Sequence, residues 1–123
     1  MVWGEFLLRT LAFPSRRLTS RIPAPEDVWV FWQCQGREDV SRVRDMSMGG
    51  LFIETPQTRA QGVFTRLHFL VQEGQIRADA VVRHAKSGDG LGLKFTALTE
   101  QDRPKLAALL NRLRGTHHAR ERS

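Results

Sequence analysis

The sequence predicts a mainly β domain, a small six-stranded antiparallel β-barrel with a C-terminal α-helix. Two observations lead there. Short runs rich in β-branched and aromatic residues alternate with tight turn signals through residue 95, which argues for hairpins and antiparallel pairing. A single leucine stripe at helical spacing then follows, so the helix comes last. Closing the sheet into a barrel removes its open edges.

The first strand is Val28-Trp29-Val30-Phe31-Trp32, too short for a lone helix and apolar throughout. It is expected to be buried on both faces or at a sheet crossing, with its aromatic residues in the core. Gln35-Gly36 makes a turn, and Glu38 to Arg44 forms the second strand. Leu51-Phe52-Ile53 is the third, closed by Thr55-Pro56. From Val63 to Val71, residues Val63, Thr65, Leu67, Phe69 and Val71 share one face. Glu73-Gly74 signals a hairpin, and Ile76, Ala78, Ala80 and Val82 line one side of the next strand. After the turn Ser87-Gly88-Asp89-Gly90, Leu91, Leu93 and Phe95 alternate with Gly92 and Lys94.

Thr99 followed by Asp102 three residues on is a helix-start signal, a hydroxyl cap with an acid. Leu106, Leu109, Leu110 and Leu113 recur at i, i+3, i+4 and i+7. Gly115 is expected to end the helix as its C′ residue. At the other end, Trp3 to Phe13 fits a short helix or an extended docking arm, and Pro14 stops it. Residues 14–26 carry Pro23 and Pro25 and read as an exposed loop. The organisation is therefore an N-terminal extension (1–15), a barrel domain with its helix (16–115) and a charged tail (116–123).

Bulk properties narrow the chemistry. The 123 residues suffice for one core. Cys34 is the only cysteine, so no intrachain disulfide forms, which suits a reducing cytoplasm; it reads as a buried small hydrophobe. No run of about 18 apolar residues is present, so no transmembrane segment is expected. Glu5 and Arg9 interrupt the apolar N-terminus, which argues against a signal peptide. The four histidines are scattered and offer no metal spacing, and His117-His118 reads as a solvated pair. No nucleophile–base pair or phosphate-cradling loop is evident, so the chain is expected to be neither an enzyme nor a cofactor protein. The net charge of +6 comes mostly from 16 arginines, and it permits an anionic partner.

One stretch concentrates polar groups and glycine: Asp45-Met46-Ser47-Met48-Gly49-Gly50, set between strands two and three. Asp45 accepts hydrogen bonds, Ser47 donates or accepts, and a glycine lets backbone approach a ligand closely. A capped turn explains part of this pattern, and for Gly49 a turn role is enough. Upstream, Arg17-Leu18-Thr19-Ser20-Arg21 holds two guanidinium forks that are suited to phosphates and guanine edges. On a helix both would share a face; in a loop they would wrap a ligand from two sides.

With these features in this order, the chain resembles the PilZ domain family of bacterial cyclic di-GMP receptors. The family carries an Arg-x-x-x-Arg loop, matched by Arg17 and Arg21, and an Asp/Asn-x-Ser-x-x-Gly turn, matched by Asp45, Ser47 and Gly50. A late glycine-rich strand is matched by Gly90-Leu91-Gly92-Leu93-Lys94-Phe95. The resemblance implies cyclic di-GMP as ligand, bound by Arg16, Arg17, Arg21, Asp45, Ser47 and Gly50. An Arg at position 16 resembles members that hold a stacked ligand pair. It further implies a receptor whose N-terminal arm moves on binding to regulate a downstream partner in motility, exopolysaccharide or virulence output. Two alternatives stand beside it: a basic domain for nucleic acid or anionic surfaces, and a PilZ-like interaction module without ligand. Against the first, no helix gathers the basic residues on one face; against the second, both motifs are present.

Overall fold

A computed structural model describes residues 21–25, 28–86 and 88–122. Along the chain lie β1 (Ile22–Pro23), β2 (Trp29–Cys34), β3 (Arg37–Met46), β4 (Gly50–Glu54), β5 (Phe64–Val71), β6 (Gly74–Lys86), β7 (Gly90–Leu98) and the helix α1 (Arg103–Arg122). The strands follow the order β1-β3-β2-β5-β6-β7-β4, and a β3–β4 pairing closes β2 to β7 into a ring. Every pairing is antiparallel. The expected six-stranded barrel with a C-terminal helix is what forms.

Tight turns explain the connectivity. Gln35 and Gly36 take φ of 54° and 76°, the paired positive angles of a two-residue hairpin that matches strand twist. Gly74 closes the β5–β6 hairpin, where Val71 pairs with Gly74 itself. The two-residue β1 was not foreseen. It extends the β3 edge beyond β2, pairing Ile22 with Met46 and Pro23 with Asp45, while β2 covers Arg37 to Arg42.

The barrel interior holds Val30, Trp32, Val43, Met46, Leu51, Ile53, Leu67, Phe69, Ile76, Val82, Leu91 and Leu93, all essentially inaccessible. The one indole N–H buried among them, on Trp32, donates to Ser41 Oγ at 2.9 Å, so the ring carries no unpaired donor into the core. Leu106, Leu109, Leu110 and Leu113 of α1 join the same core, each adding about 1.5–3 kcal/mol of burial. The helix lies against β1 and β6.

Three expectations change. First, β2 is buried on one face only: Trp29 is 49% exposed. The outer face of an antiparallel barrel has no second layer, so alternation wins over bulk apolarity. Second, the Thr99 hydroxyl does cap the helix, accepting from Asp102 N at 3.1 Å. The Asp102 carboxylate, however, turns to β6 and accepts from Arg77 N at 3.3 Å, tying the helix start to the barrel. Third, α1 runs through Gly115 to Arg122, so Gly115 is not its C′ residue.

Candidate ligand-binding site

The site is built on one end of β3. Between Val43 and Asp45 the β3–β4 register shifts by a bulge that inserts Arg44. Bulges re-aim side chains and sharpen local twist. The Arg44 carbonyl accepts from Ala24 N at 2.9 Å, which seats the segment after β1 against the bulge. Asp45 follows in the ladder, opposite Pro23 on one side and Phe52 on the other. It therefore sits on a strand, not in the turn where the sequence pattern placed it.

The turn itself is short and closed. Ser47 N donates to the Gly50 carbonyl at 2.8 Å, and Gly49 N donates to Ser47 Oγ at 3.1 Å. Phe95 N donates to the Gly49 carbonyl at 2.9 Å, fastening the loop to β7. Ser47 is buried, with its Oγ holding the loop. Gly50 has a packing reason to be glycine: a Cβ there would overlap the Leu93 carbonyl oxygen of β7 and lie 3.1 Å from Lys94 Cα.

The two motifs meet. Arg21 Nη1 donates to Asp45 Oδ1 at 2.8 Å, with the arginine side chain 45% exposed and the aspartate 25%. The start of β1 thus delivers the last residue of the Arg motif to the first residue of the Asp motif. Arg16 and Arg17 lie outside the described residues.

Around Asp45 the outer surface carries groups that sequence reasoning missed. Arg44 forks onto Asp89 in the β6–β7 turn at 2.8 and 3.4 Å, and approaches Glu54 at 3.6 Å. The Asp89 hydrogen bonds raise the Arg44 pKa, and Arg44 in turn lowers that of Asp89. The Arg44 guanidinium lies 4.5 Å over the Phe52 ring. Phe52 rests on Gly90, and the His84 imidazole rests on Gly92: Cβ atoms at these two positions would come within 2.5 and 2.6 Å of the rings. The Phe52 and His84 ring centres are 6.3 Å apart. The late glycine-rich strand therefore leaves room on the barrel surface for the two rings. The signal available in the sequence was the alternation of β7, which puts Gly90 and Gly92 on the face opposite Leu91 and Leu93.

A groove of about 850 Å³ lies elsewhere on the barrel, lined among others by Phe31, Arg66, His68 and Arg77. None of the described motif residues lines it. Among the described residues, no group of three or more His, Cys, Asp or Glu side chains gathers as a metal site, and no helix is long and apolar enough to cross a membrane.

Comparison with known proteins agrees with this arrangement. The PilZ domain family matches residues 15–112. No curated protein matches the chain in sequence. Among solved structures, the PilZ domain with c-di-GMP of YcgR from Escherichia coli is 18% identical, with a TM-score of 0.63 over 84% of this chain and 93% of that one. The PilZ domain of CeSA from a cellulose-synthesizing bacterium is 19% identical, with a TM-score of 0.59 over 79% and 97%. MrkH of K. pneumonia in its apo state is 17% identical, with a TM-score of 0.65 over 89% of this chain but only 55% of MrkH. The chain thus spans about half the length of MrkH and nearly all of the two isolated domains. At these identities the likeness is one of fold, whereas the family match covers both motifs. The six-stranded barrel, the Arg21–Asp45 junction and the match over residues 15–112 together make this chain a member of the PilZ domain family.

Proposed function

We propose that the chain is a receptor for cyclic di-GMP that works by binding alone, without catalysis. The observation that carries this reading is the 2.8 Å contact between Arg21 and Asp45, which assembles both halves of a guanine- and phosphate-binding clamp on a PilZ barrel. The c-di-GMP complex of the structurally similar YcgR domain supports the choice of ligand.

The chemistry follows from the groups. Asp45 is acceptor-only and suits the N1–H and N2–H edge of guanine. Arg17 and Arg21 suit phosphate oxygens or the O6/N7 edge, where a fork makes two bonds at once. Arg21 is held by Asp45, so its charge is placed at the site and less side-chain entropy is lost on binding. Ser47 and Gly50 serve by setting the loop: one closes it, and the other lets β4 approach β7. Arg16 adds a further fork for a stacked ligand pair.

In this reading the ligand gathers residues 15–21 against Asp45 and the loop that Ser47 closes. The setting of residues 1–13 changes with it, and a downstream protein partner reads that change. A ligand shifts such an equilibrium only by its differential affinity for the two arrangements. Calorimetric titration of the full chain with cyclic di-GMP tests the proposal. Binding on the order of tens of micromolar or tighter is expected, with two ligands per chain if the stacked pair forms. No heat at that level overturns it. The net charge of +6 favours a second reading, an anionic-surface or nucleic-acid binder. Tight duplex binding with a steep salt dependence, and no response to the dinucleotide, would establish that one instead.

A further inference from the structure

We propose that Arg44 is an additional ligand-contacting residue, a fixed planar cation on which one guanine of the ligand stacks, with Asp89 and Phe52 as its positioning residues. This rests on the cyclic di-GMP reading and adds a contact that neither sequence motif contains.

The geometry separates the edges of Arg44 from its faces. Its terminal nitrogens are engaged by Asp89 at 2.8 and 3.4 Å and approached by Glu54 at 3.6 Å. Two of its five N–H donors are thereby committed to Asp89. One face lies 4.5 Å over the Phe52 ring. The side chain nonetheless stays 37% exposed, so it remains accessible to a ligand. Exposed ion pairs add little to stability, so the network is a weak stability device. What it does achieve is to hold a guanidinium flat, and flat guanidinium groups stack on planar ring systems.

The location matches the ligand. Arg44 precedes Asp45 in the chain, and Phe52, beneath Arg44, is the ladder partner of Asp45. A guanine lying on Arg44 would sit above Phe52, beside the strand position that carries Asp45. Arg44 thus differs in role from Arg21: it offers a face where Arg21 offers an edge. Asp89, on the β6–β7 turn, and the two glycines of β7 that leave room for Phe52 and His84 belong to the same support.

Calorimetry on the full chain, with a thermal melt of each variant, tests this. Arg44→Lys keeps the charge and loses the plane; a loss of affinity of about 10-fold is expected, and Arg44→Ala should lose at least as much. Asp89→Asn leaves Arg44 in place but loosens it, and a smaller loss of about 3-fold is expected, with an unchanged melting midpoint. If Arg44→Lys binds within 2-fold of the parent chain, the plane plays no part and the inference falls, while the receptor reading stands. If the parent chain does not bind, the receptor reading falls and takes the inference with it.

Discussion

The Arg21 guanidinium donates to Asp45 Oδ1 at 2.8 Å across 24 residues of chain. β1 makes this possible: Ile22 and Pro23 pair with Met46 and Asp45, so the residue before β1 arrives beside the carboxylate. Backbone pairing therefore brings the ends of the two motifs together.

Replacing either partner should weaken cyclic di-GMP binding far more than folding. Charge-assisted hydrogen bonds contribute about 1.5–3 kcal/mol. Arg21→Ala or Asp45→Ala is thus expected to lower affinity by roughly 10- to 100-fold in a calorimetric titration. The ion pair itself is partly exposed and contributes about 0–1 kcal/mol to stability, so the melting midpoint should barely move. An Asp45→Ala chain that binds normally would remove the carboxylate from the site.

Gly50 tests the division between ligand space and packing. A methyl group there meets the Leu93 carbonyl oxygen, which belongs to a β7 backbone that cannot swing away. Gly50→Ala is expected to destabilise the barrel by about 1–3 kcal/mol, the range for overpacking. Urea unfolding without ligand reads this directly. A variant of normal stability that binds poorly would instead assign Gly50 to the ligand.

Much of this was legible in the sequence. Six strands and their hairpins followed from turn residues whose geometry is local, such as Gln35-Gly36 with its paired positive φ angles. The Arg44 bulge was not legible, because a bulge depends on how β3 must bend between β1, β2 and β4. For the same reason Asp45 was placed in a turn rather than a ladder. Trp29 was misplaced since five consecutive apolar residues carry no period, and only the closed barrel shows which alternate ones face out. The grouping of Arg44, Phe52 and His84 required knowing that β4, β7 and β6 are neighbours.

Acid should expose the hold between α1 and the β5–β6 hairpin. Arg112 donates to Glu73 at 2.8 and 3.3 Å, and this hydrogen bonding holds the Glu73 carboxyl below its ordinary value. A depressed carboxylate contributes stability that is fully present above its unfolded pKa of about 4.3 and is lost as pH falls through the folded value. Glu73→Gln is therefore expected to be less stable than the parent at pH 7, with the gap closing below about pH 4. Guanidinium unfolding at both pH values checks this. A gap that stays constant into acid would mean that packing, not charge, accounts for the difference.

Gly115 offers the sharpest test of where the helix ends. If it were a C′ residue in the left-handed region, a side chain there would be strained and Gly115→Ala would destabilise. Instead α1 continues to Arg122, and Gly115 is absent from the glycines with positive φ among the described residues. A Cβ at this position meets nothing within 4 Å. Alanine then gains only the helix-propensity difference, about 0.8–1.0 kcal/mol. Gly115→Ala is expected to raise stability by up to about 1 kcal/mol, which for a domain of this size moves the melting midpoint by about 3–6 °C. A fall of similar size would place the helix end at Gly115 after all.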